Sequence, residues 1–237
     1  MTAFTIKEKV ADLYFVFQPI VQKTPGDSQI IHSYEVLLRS RKDGRFPIDL
    51  FLNLISNEES NEILLDEYRI MVYDFMNGRL NVDLSLNLHH EQLFRKSTWE
   101  FLKEIQVFSN RITIEFTEFL PNSYVGNTIS TRQWMCDINK LGYRIALDDV
   151  DSGLNSLQFV MEHIDLIQVI KFSLLPFRMM DRPTILHFIE GWIKISEHYK
   201  VGLVVEAVED EELANQLSCL GANYQQGYFW GRGKVLI

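Results

Sequence analysis

Apolar runs of strand length alternate with helix-length segments along most of this chain of 237 residues, and that alternation restricts the folds open to it. From Arg111 onward, strand-like runs such as Leu166–Phe172 and Gly202–Ala207 are each followed by a helical segment. Strands that alternate with helices predict parallel βαβ units, and eight strands in one such chain favour an α/β fold of the (β/α)8 TIM-barrel type. A doubly wound open sheet is the alternative, but no glycine-rich phosphate loop follows an early strand.

The first two predicted strands depart from this order. Leu13–Ile20 is rich in aromatic and β-branched residues, and a Pro-Gly turn separates it from Ile31–Arg39. The short connection predicts an antiparallel hairpin, so the first strand is expected to run opposite to the others. Glu35 and Arg39 share one face of the second strand, either as functional groups or as a mutual ion pair.

Charge and composition exclude several classes of partner. The net charge of −9 and the pI near 5.2 argue against non-specific binding to a DNA or RNA duplex. No apolar run has the length of a membrane span or the form of a signal peptide. Cys136 and Cys219 lack the spacing of metal ligands and are interpreted as reduced core thiols of a cytoplasmic protein.

A pair of aspartates follows the apolar run Ile145–Leu147. Asp148 and Asp149 would bring like charges together at the end of a buried strand, where a cation would be needed to keep both ionised. Oxygen-rich clusters suit Mg²⁺, Mn²⁺ or Ca²⁺. The alternative is that one aspartate caps the next helix.

Other strands carry a polar residue in the same way, and in a barrel the strand ends meet at one mouth. Together these residues predict an acidic, oxygen-rich pocket with one lysine, suited to hard divalent cations. A neighbouring pair, His89 and His90, is interpreted as a solvated helix start, because no further ligand stands at a helical spacing from it. The strand-end residues are Glu35, Asn87, Glu115, Asp148, Asp149, Lys171, Glu206 and Gln226.

Carboxylate-bound pairs of metal ions typically hydrolyse phosphoesters. In such a site Lys171 could orient the attacking water or offset transition-state charge, and Glu206 could accept a proton. The residues themselves therefore predict a metal-dependent hydrolase, with phosphoesters as the expected substrate class.

Ordered motifs over essentially the whole chain resemble those of the EAL domain, the family of cyclic di-GMP-specific phosphodiesterases. The second motif reads EVLLR where the family has EALLR, with Val36 in place of alanine. The resemblance implies a barrel that opens cyclic di-GMP to linear pGpG with Mg²⁺ or Mn²⁺, and a single EAL-type domain over residues 1–237. The motifs are FQPI (Phe17–Ile20), EVLLR (Glu35–Arg39), SLNL (Ser85–Leu88), IEFTE (Ile114–Glu118), LDD (Leu147–Asp149), IK (Ile170–Lys171), VEAVE (Val205–Glu209) and QQGYFWGR (Gln225–Arg232).

The resemblance also implies a role for each matching residue. Lys171 would contact the attacking water, Glu206 would act as or near the general base, and Glu118 would brace the loop after Asp149. The substrate contacts would be Gln18, Arg39 and Gln226. The metal ligands would be Glu35, Asn87, Glu115 and Asp148, with Asp149 at the second metal and Glu35 counted also among the catalytic residues.

Departures from the family pattern leave two functions open. Asp151 stands where the family has a glycine after the paired aspartates, Ser173 replaces an acid, and Ala207 replaces another glycine. The chain is therefore expected to be an active cyclic di-GMP phosphodiesterase, or else a weak or inactive EAL domain that acts as a cyclic di-GMP receptor or a protein-interaction module. Many family members dimerise near the loop after the aspartates, so a homodimer is a further expectation.

Overall fold

The computed structural model of the protein describes residues 3–23, 28–78, 81–117, 128–151, 153 and 155–236, with side chains from residue 6 onward except at 128–130. Its strands form a closed barrel in sequential order, β1 to β8. β1 is antiparallel to both β2 and β8, whereas the other neighbouring strands are parallel. The predicted barrel with a reversed first strand is confirmed. The strands are Leu13–Lys23, Gln29–Ser40, Asp83–Leu88, Ile112–Phe116, Arg144–Leu147, Val169–Ser173, Gly202–Glu206 and Tyr224–Gln226.

Helices surround the barrel and connect its strands. Their ends carry the expected capping residues: Asn57 accepts a hydrogen bond from Ser60 at the start of the third helix, and Gly221 ends the eighth in the left-handed conformation. Short 3₁₀ helices occupy His90–Phe94, Ile105–Arg111 and Leu175–Phe177. The α-helices, α1 to α8, are Ala3–Val10, Ile48–Ile55, Glu58–Asn77, Lys96–Glu104, Thr128–Lys140, Leu157–His163, Arg182–Tyr199 and Glu211–Leu220.

The apolar core fills the layer between the strands and these helices. Outward-facing strand residues such as Ile114 and Phe116 are fully buried there, and α7 packs Ile189 and Trp192 against the barrel. Polar residues such as Glu115 and Lys171 lie on the inner faces instead, because side chains alternate between the two faces of a strand. The apolar layer thus stabilises the barrel, while the inner face near the strand ends is free to carry polar chemistry.

Two sequence-based interpretations were wrong in detail. His89 and His90 do not lie at a solvated helix start, because their exposed fractions are 8% and 1%. Cys219 is exposed and Cys136 is half-buried, so Cys219 is not a core thiol. None of the helices in the described ranges combines the length and apolar character that a membrane crossing requires.

A buried polar network ties α3 to the segment after β3. Asn61 is completely buried and donates to Ser97 Oγ and Thr98 Oγ1 on α4, both at 2.9 Å. Its carbonyl oxygen accepts a 3.1 Å bond from Gln92 Nε2 in the 3₁₀ helix that follows β3. The network satisfies polar groups that would be costly to leave unpaired in the core.

We expect Asn61→Ala to lower the free energy of unfolding by about 2–3 kcal/mol, because several buried groups lose a hydrogen-bond partner at once. Urea denaturation followed by circular dichroism measures the change. Glu62→Ala, at an exposed position of the same helix, is the matched control and should change stability by no more than about 0.5 kcal/mol. Equal losses in the two variants would contradict a stabilising role for the network.

Candidate active site at the mouth of the barrel

Lys171 lies inside the barrel near its mouth and is surrounded by carboxylates. Its exposed fraction is 1%, and Nζ is 2.7 Å from Glu115 Oε2, 2.9 Å from Asp148 Oδ1 and 2.9 Å from Glu206 Oε1. A fourth carboxylate oxygen, Glu35 Oε2, is 3.4 Å away. These carboxylates come from β2, β4, the end of β5 and β7, so closure of the barrel alone brings them together.

Amide groups from two further strands hold Glu35 in place. Asn87 Nδ2 at the end of β3 donates to Glu35 Oε1 at 2.8 Å, and Gln226 Nε2 at the end of β8 donates to Oε2 at 2.6 Å. Seven of the eight residues predicted from strand ends therefore meet in one cluster: Glu35, Asn87, Glu115, Asp148, Lys171, Glu206 and Gln226. The eighth, Asp149, follows Asp148 in the chain and lines the adjoining cavity.

Burial in this crowded site controls the acid–base properties of the carboxylates. Burial raises the pKa of Glu115 to about 8, although the Lys171 ammonium opposes the shift. The pKa values of Asp148 and Glu206 are raised by burial too, again against the attraction of Lys171. For Glu35, burial alone would raise the pKa, but Lys171 and the two amide donors outweigh it, and the pKa is lowered.

The cluster has the composition of a site for a hard divalent cation. Glu35, Glu115 and Asp148 each offer an oxygen atom, and these atoms lie within 4.8 Å of one another. Glu115 Oε1 and Gln226 Oε1 are buried and receive no hydrogen bond from the residues that the structure describes. Buried oxygens without a donor fit a bound cation, and carboxylate and amide oxygens suit Mg²⁺, Mn²⁺ or Ca²⁺.

A cavity of about 700 Å³ opens beside the cluster. Glu35, Asp148 and Asp149 lie on its wall, and we call the part that they line the acidic end; Arg39 is a further lining residue. Apolar residues of α2 and the segment before it also line the cavity. We call this part the apolar shelf, and it consists of Phe46, Ile48, Phe51, Leu52 and Ile55.

The remaining predicted residues are placed differently. Gln18 on β1 is paired in register with Glu35, but its side-chain amide donates to Gly231 O at 3.3 Å. Arg39 donates to Leu38 O at 2.8 Å and makes no ion pair with Glu35, so the alternative of a mutual pair within β2 is wrong. Glu118 lies outside the described residues.

Two cavity residues were missed by reasoning from the sequence. His89 lies on the cavity wall, as does Thr117, whose buried Oγ1 has no hydrogen-bond partner among the described residues. Their positions could have revealed them, because His89 is two residues after Asn87 and Thr117 is two residues after Glu115. In an extended chain such residues lie on the same face as the polar residue before them.

The loop after Asp148 is held to the barrel by several contacts. The buried Asn155 donates from Nδ2 to Asp148 O at 2.5 Å, and Val150 N donates to Lys171 O at 3.0 Å. Asp151 adopts φ +65°, a conformation that glycine occupies more readily, and its Oδ2 accepts a 2.9 Å bond from Trp192 Nε1. Ser156 caps α6, so neither paired aspartate serves as the cap of that helix.

A family model for the EAL domain matches residues 5–233. The chain belongs to the EAL domain family. A curated relative from Synechocystis sp., described as an uncharacterized protein, is 24% identical over 135 residues, which make up 54% of this chain and 18% of the relative. The chain therefore spans less than a fifth of the length of the curated relative it matches.

Solved structures share the fold of this EAL domain over nearly its whole length. Klebsiella pneumoniae BlrP1, in complex with calcium and cyclic di-GMP, has a TM-score of 0.75 at 21% identity, covering 94% of this chain and 56% of that one. A standalone EAL protein of Vibrio cholerae O395 bound to c-di-GMP has a TM-score of 0.71 at 22% identity, covering 94% and 93%. The MucR phosphodiesterase in complex with c-di-GMP has a TM-score of 0.72 at 20% identity, covering 97% and 95%.

The raised pKa of Glu115 predicts a pH dependence of stability in the metal-free protein. A folded-state pKa of about 8, above the ordinary value of 4.5, means that stability from the protonated carboxyl is present at low pH and is lost as the pH rises through 8. We expect the melting temperature to fall between pH 6 and pH 9, and Glu115→Gln to reduce that fall by at least about 2–4 °C. Scanning calorimetry in the presence of a chelator measures the melting temperatures. Glu67→Gln, at an exposed site, is the matched control and should show the same fall in melting temperature as the wild type.

The bond between Asp151 and Trp192 predicts how firmly the loop is held. We expect Trp192→Phe to speed amide exchange at Asp151, whose N–H bonds to Asn155 O, by about fivefold, as the loss of roughly 1 kcal/mol implies. Hydrogen–deuterium exchange with mass spectrometry measures the rate. Trp99→Phe removes a similar indole bond, to Leu93 O, and should leave the loop unchanged; the same increase in both variants would contradict a local tether.

Proposed function

We propose that the protein is a metal-dependent phosphodiesterase that hydrolyses cyclic di-GMP to linear pGpG in bacterial second-messenger signalling. The observation that carries the proposal is the convergence of four carboxylates on the buried Lys171 beside a large open cavity. Membership of the EAL domain family supports it. Structures of the same fold in complex with cyclic di-GMP and calcium or manganese support it further.

The cofactor we propose is a pair of Mg²⁺ or Mn²⁺ ions, for which the carboxylate and amide oxygens at the mouth are suitable ligands. Glu35, Asn87, Glu115 and Asp148 would hold the first ion, and Asp149 would contribute to the second. For Asn87 this requires that the side-chain oxygen face the ion, which is compatible with its Nδ2 donating to Glu35. When bound, such ions polarise the phosphoryl group, favour ionisation of water and stabilise the leaving oxygen.

Lys171 and Glu206 would carry the steps that the protein performs itself. Lys171, held by its carboxylate partners, would donate a hydrogen bond to the attacking water and orient it toward phosphorus. Glu206 would accept the proton of that water, because its carboxylate lies 2.9 Å from the Lys171 ammonium that would orient the water. The new P–O bond forms as the bond from phosphorus to the 3′ oxygen breaks, and the 3′ oxygen takes a proton to give linear pGpG.

The cavity suits a dinucleotide that carries both phosphates and flat bases. Arg39 would pair with a phosphate at the acidic end, where the metal ions offset the carboxylates. Gln226 would complete the pocket beside Glu35, and Gln18 would reach the dinucleotide by leaving its bond to Gly231 O. The apolar shelf would receive the face of one base, and Glu118 would brace the loop after Asp149.

A second candidate function is that of a catalytically weak or inactive EAL domain, which acts as a cyclic di-GMP receptor or as a protein-interaction module. The observation that favours it is the backbone at two positions where the family has glycine. Asp151 and Ala207 both adopt positive φ, at +65° and +59°, next to the paired aspartates and Glu206. Non-glycine residues in this region store strain that would resist loop movement during turnover.

Turnover separates the two functions. We expect the purified protein to convert cyclic di-GMP to linear pGpG with Mg²⁺ or Mn²⁺, and Asp148→Asn to lose at least about a hundredfold in rate, because a metal ligand loses its charge. Chromatography of the nucleotides gives the rate. Asp165→Asn, which changes a surface carboxylate paired with Arg132, is the matched control and should keep the wild-type rate.

The remaining outcomes are equally informative. Binding of cyclic di-GMP in Ca²⁺ without turnover in Mg²⁺ or Mn²⁺ would contradict the enzyme and favour the receptor. If the protein neither binds nor hydrolyses the nucleotide, the phosphodiesterase and the cyclic di-GMP receptor are both wrong, and the result favours a protein-interaction module.

A further inference from the structure

His89 lies on the wall of the cavity and is not one of the residues that form the catalytic cluster. It follows β3 by one residue and keeps an extended backbone, with φ −77° and ψ 140°. Its side chain therefore continues the face that carries Asn87. Only 8% of the residue is exposed, yet it forms part of the cavity wall.

The two ring nitrogens of His89 have different surroundings. Nδ1 accepts a 3.1 Å hydrogen bond from the backbone N–H of Glu91, which makes His89 the cap of the 3₁₀ helix. A nitrogen that accepts a hydrogen bond carries no proton, so the ring proton lies on Nε2. Among the described residues Nε2 has no hydrogen-bond partner, and it is not fully buried, so at the cavity wall the ring has an N–H that is available as a donor.

The surrounding packing fixes the direction of that donor. His89 N donates to Gln92 Oε1 at 3.2 Å, and Gln92 is held in turn by the buried Asn61. The imidazole ring meets the Phe51 ring of the apolar shelf edge to face, with the centroids 6.1 Å apart. A donor held from two sides in this way is pre-organised, which is what discrimination between similar ligands requires.

We propose that His89 is a specificity-determining residue, whose Nε2–H donates to O6 of a guanine base lying on the apolar shelf. The inference rests on the proposed function, and it identifies the part of the substrate that His89 would recognise. Guanine presents an oxygen acceptor at position 6, whereas adenine presents an amino donor there, which would face the His89 N–H and leave both groups unpaired.

A base fits this position better than a phosphate does. The ring of His89 contacts Phe51, a shelf residue that would lie against the flat face of a base. Phosphates belong at the acidic end, where the metal ions would supply positive charge. The neutral His89 N–H adds directional recognition rather than charge.

The substitutions His89→Asn and His89→Gln separate the two ring nitrogens. Asparagine keeps an acceptor in place of Nδ1 and is itself a favoured cap residue, so the local fold is retained while the donor to the cavity is lost. Glutamine loses the cap but reaches far enough to place an N–H near the position of Nε2. Melting temperatures and far-ultraviolet circular dichroism verify that each variant is folded.

Calorimetric titration with cyclic di-GMP and with cyclic di-AMP, in Ca²⁺, gives the affinities. We expect the wild type to prefer cyclic di-GMP, and His89→Asn to lose about tenfold in affinity for cyclic di-GMP with little change for cyclic di-AMP. His89→Gln should recover most of the lost affinity.

Three results would overturn the inference. Unchanged affinity of His89→Asn for cyclic di-GMP would mean that His89 is only a helix cap. An equal loss for both nucleotides in the two variants would assign His89 to packing of the wall. A wild type that binds neither nucleotide would overturn the proposed function and this inference together, whereas the first two results leave the proposed function standing.

Discussion

The electrostatic balance between one buried ammonium group and the carboxylates around it governs the mouth of this barrel. Lys171 approaches Glu115, Asp148 and Glu206 within 2.9 Å, and Glu35 is not much farther away. One ammonium group cannot neutralise four carboxylates, so an excess of acidic groups stays buried in the folded protein. The stability that the apolar layer contributes must exceed the free-energy cost of burying them. Clusters of this kind are costly to bury, which is why they mark sites of function more often than sources of stability.

The outward and inward faces of the barrel strands carry different kinds of residue. Outward residues such as Phe116 and Ile114 belong to the apolar layer, whereas their neighbour Glu115 points inward to Lys171. The residues proposed for recognition follow the same rule at the strand ends, where Asn87 donates to Glu35 and His89 borders the cavity. The proposed chemistry and recognition would therefore use successive inward-facing positions, and helix α2 supplies most of the apolar shelf.

Much of this arrangement could be predicted from residue patterns, and the failures have physical causes. The alternation within β3 and β4 predicted the inward positions of Asn87 and Glu115, and the short hairpin predicted the reversed first strand. The sequence placed Lys171 in the acidic pocket but not its individual contacts, because strand patterns locate a residue at the mouth without giving the distances between side chains. His89 was misplaced at a solvated helix start, because its burial comes from Phe51 and Gln92, which local periodicity does not reveal.

Reversal of the first strand also determines how the barrel connects to whatever chain precedes it. In an all-parallel barrel the first strand would begin at the face opposite the cavity. Here Leu13, the first residue of β1, pairs with Ser40, the last residue of β2, so the chain enters the barrel at the rim of the mouth. A movement of the segment before Leu13 would therefore reach the turn after β2 and the apolar shelf directly, without having to pass along the length of the barrel.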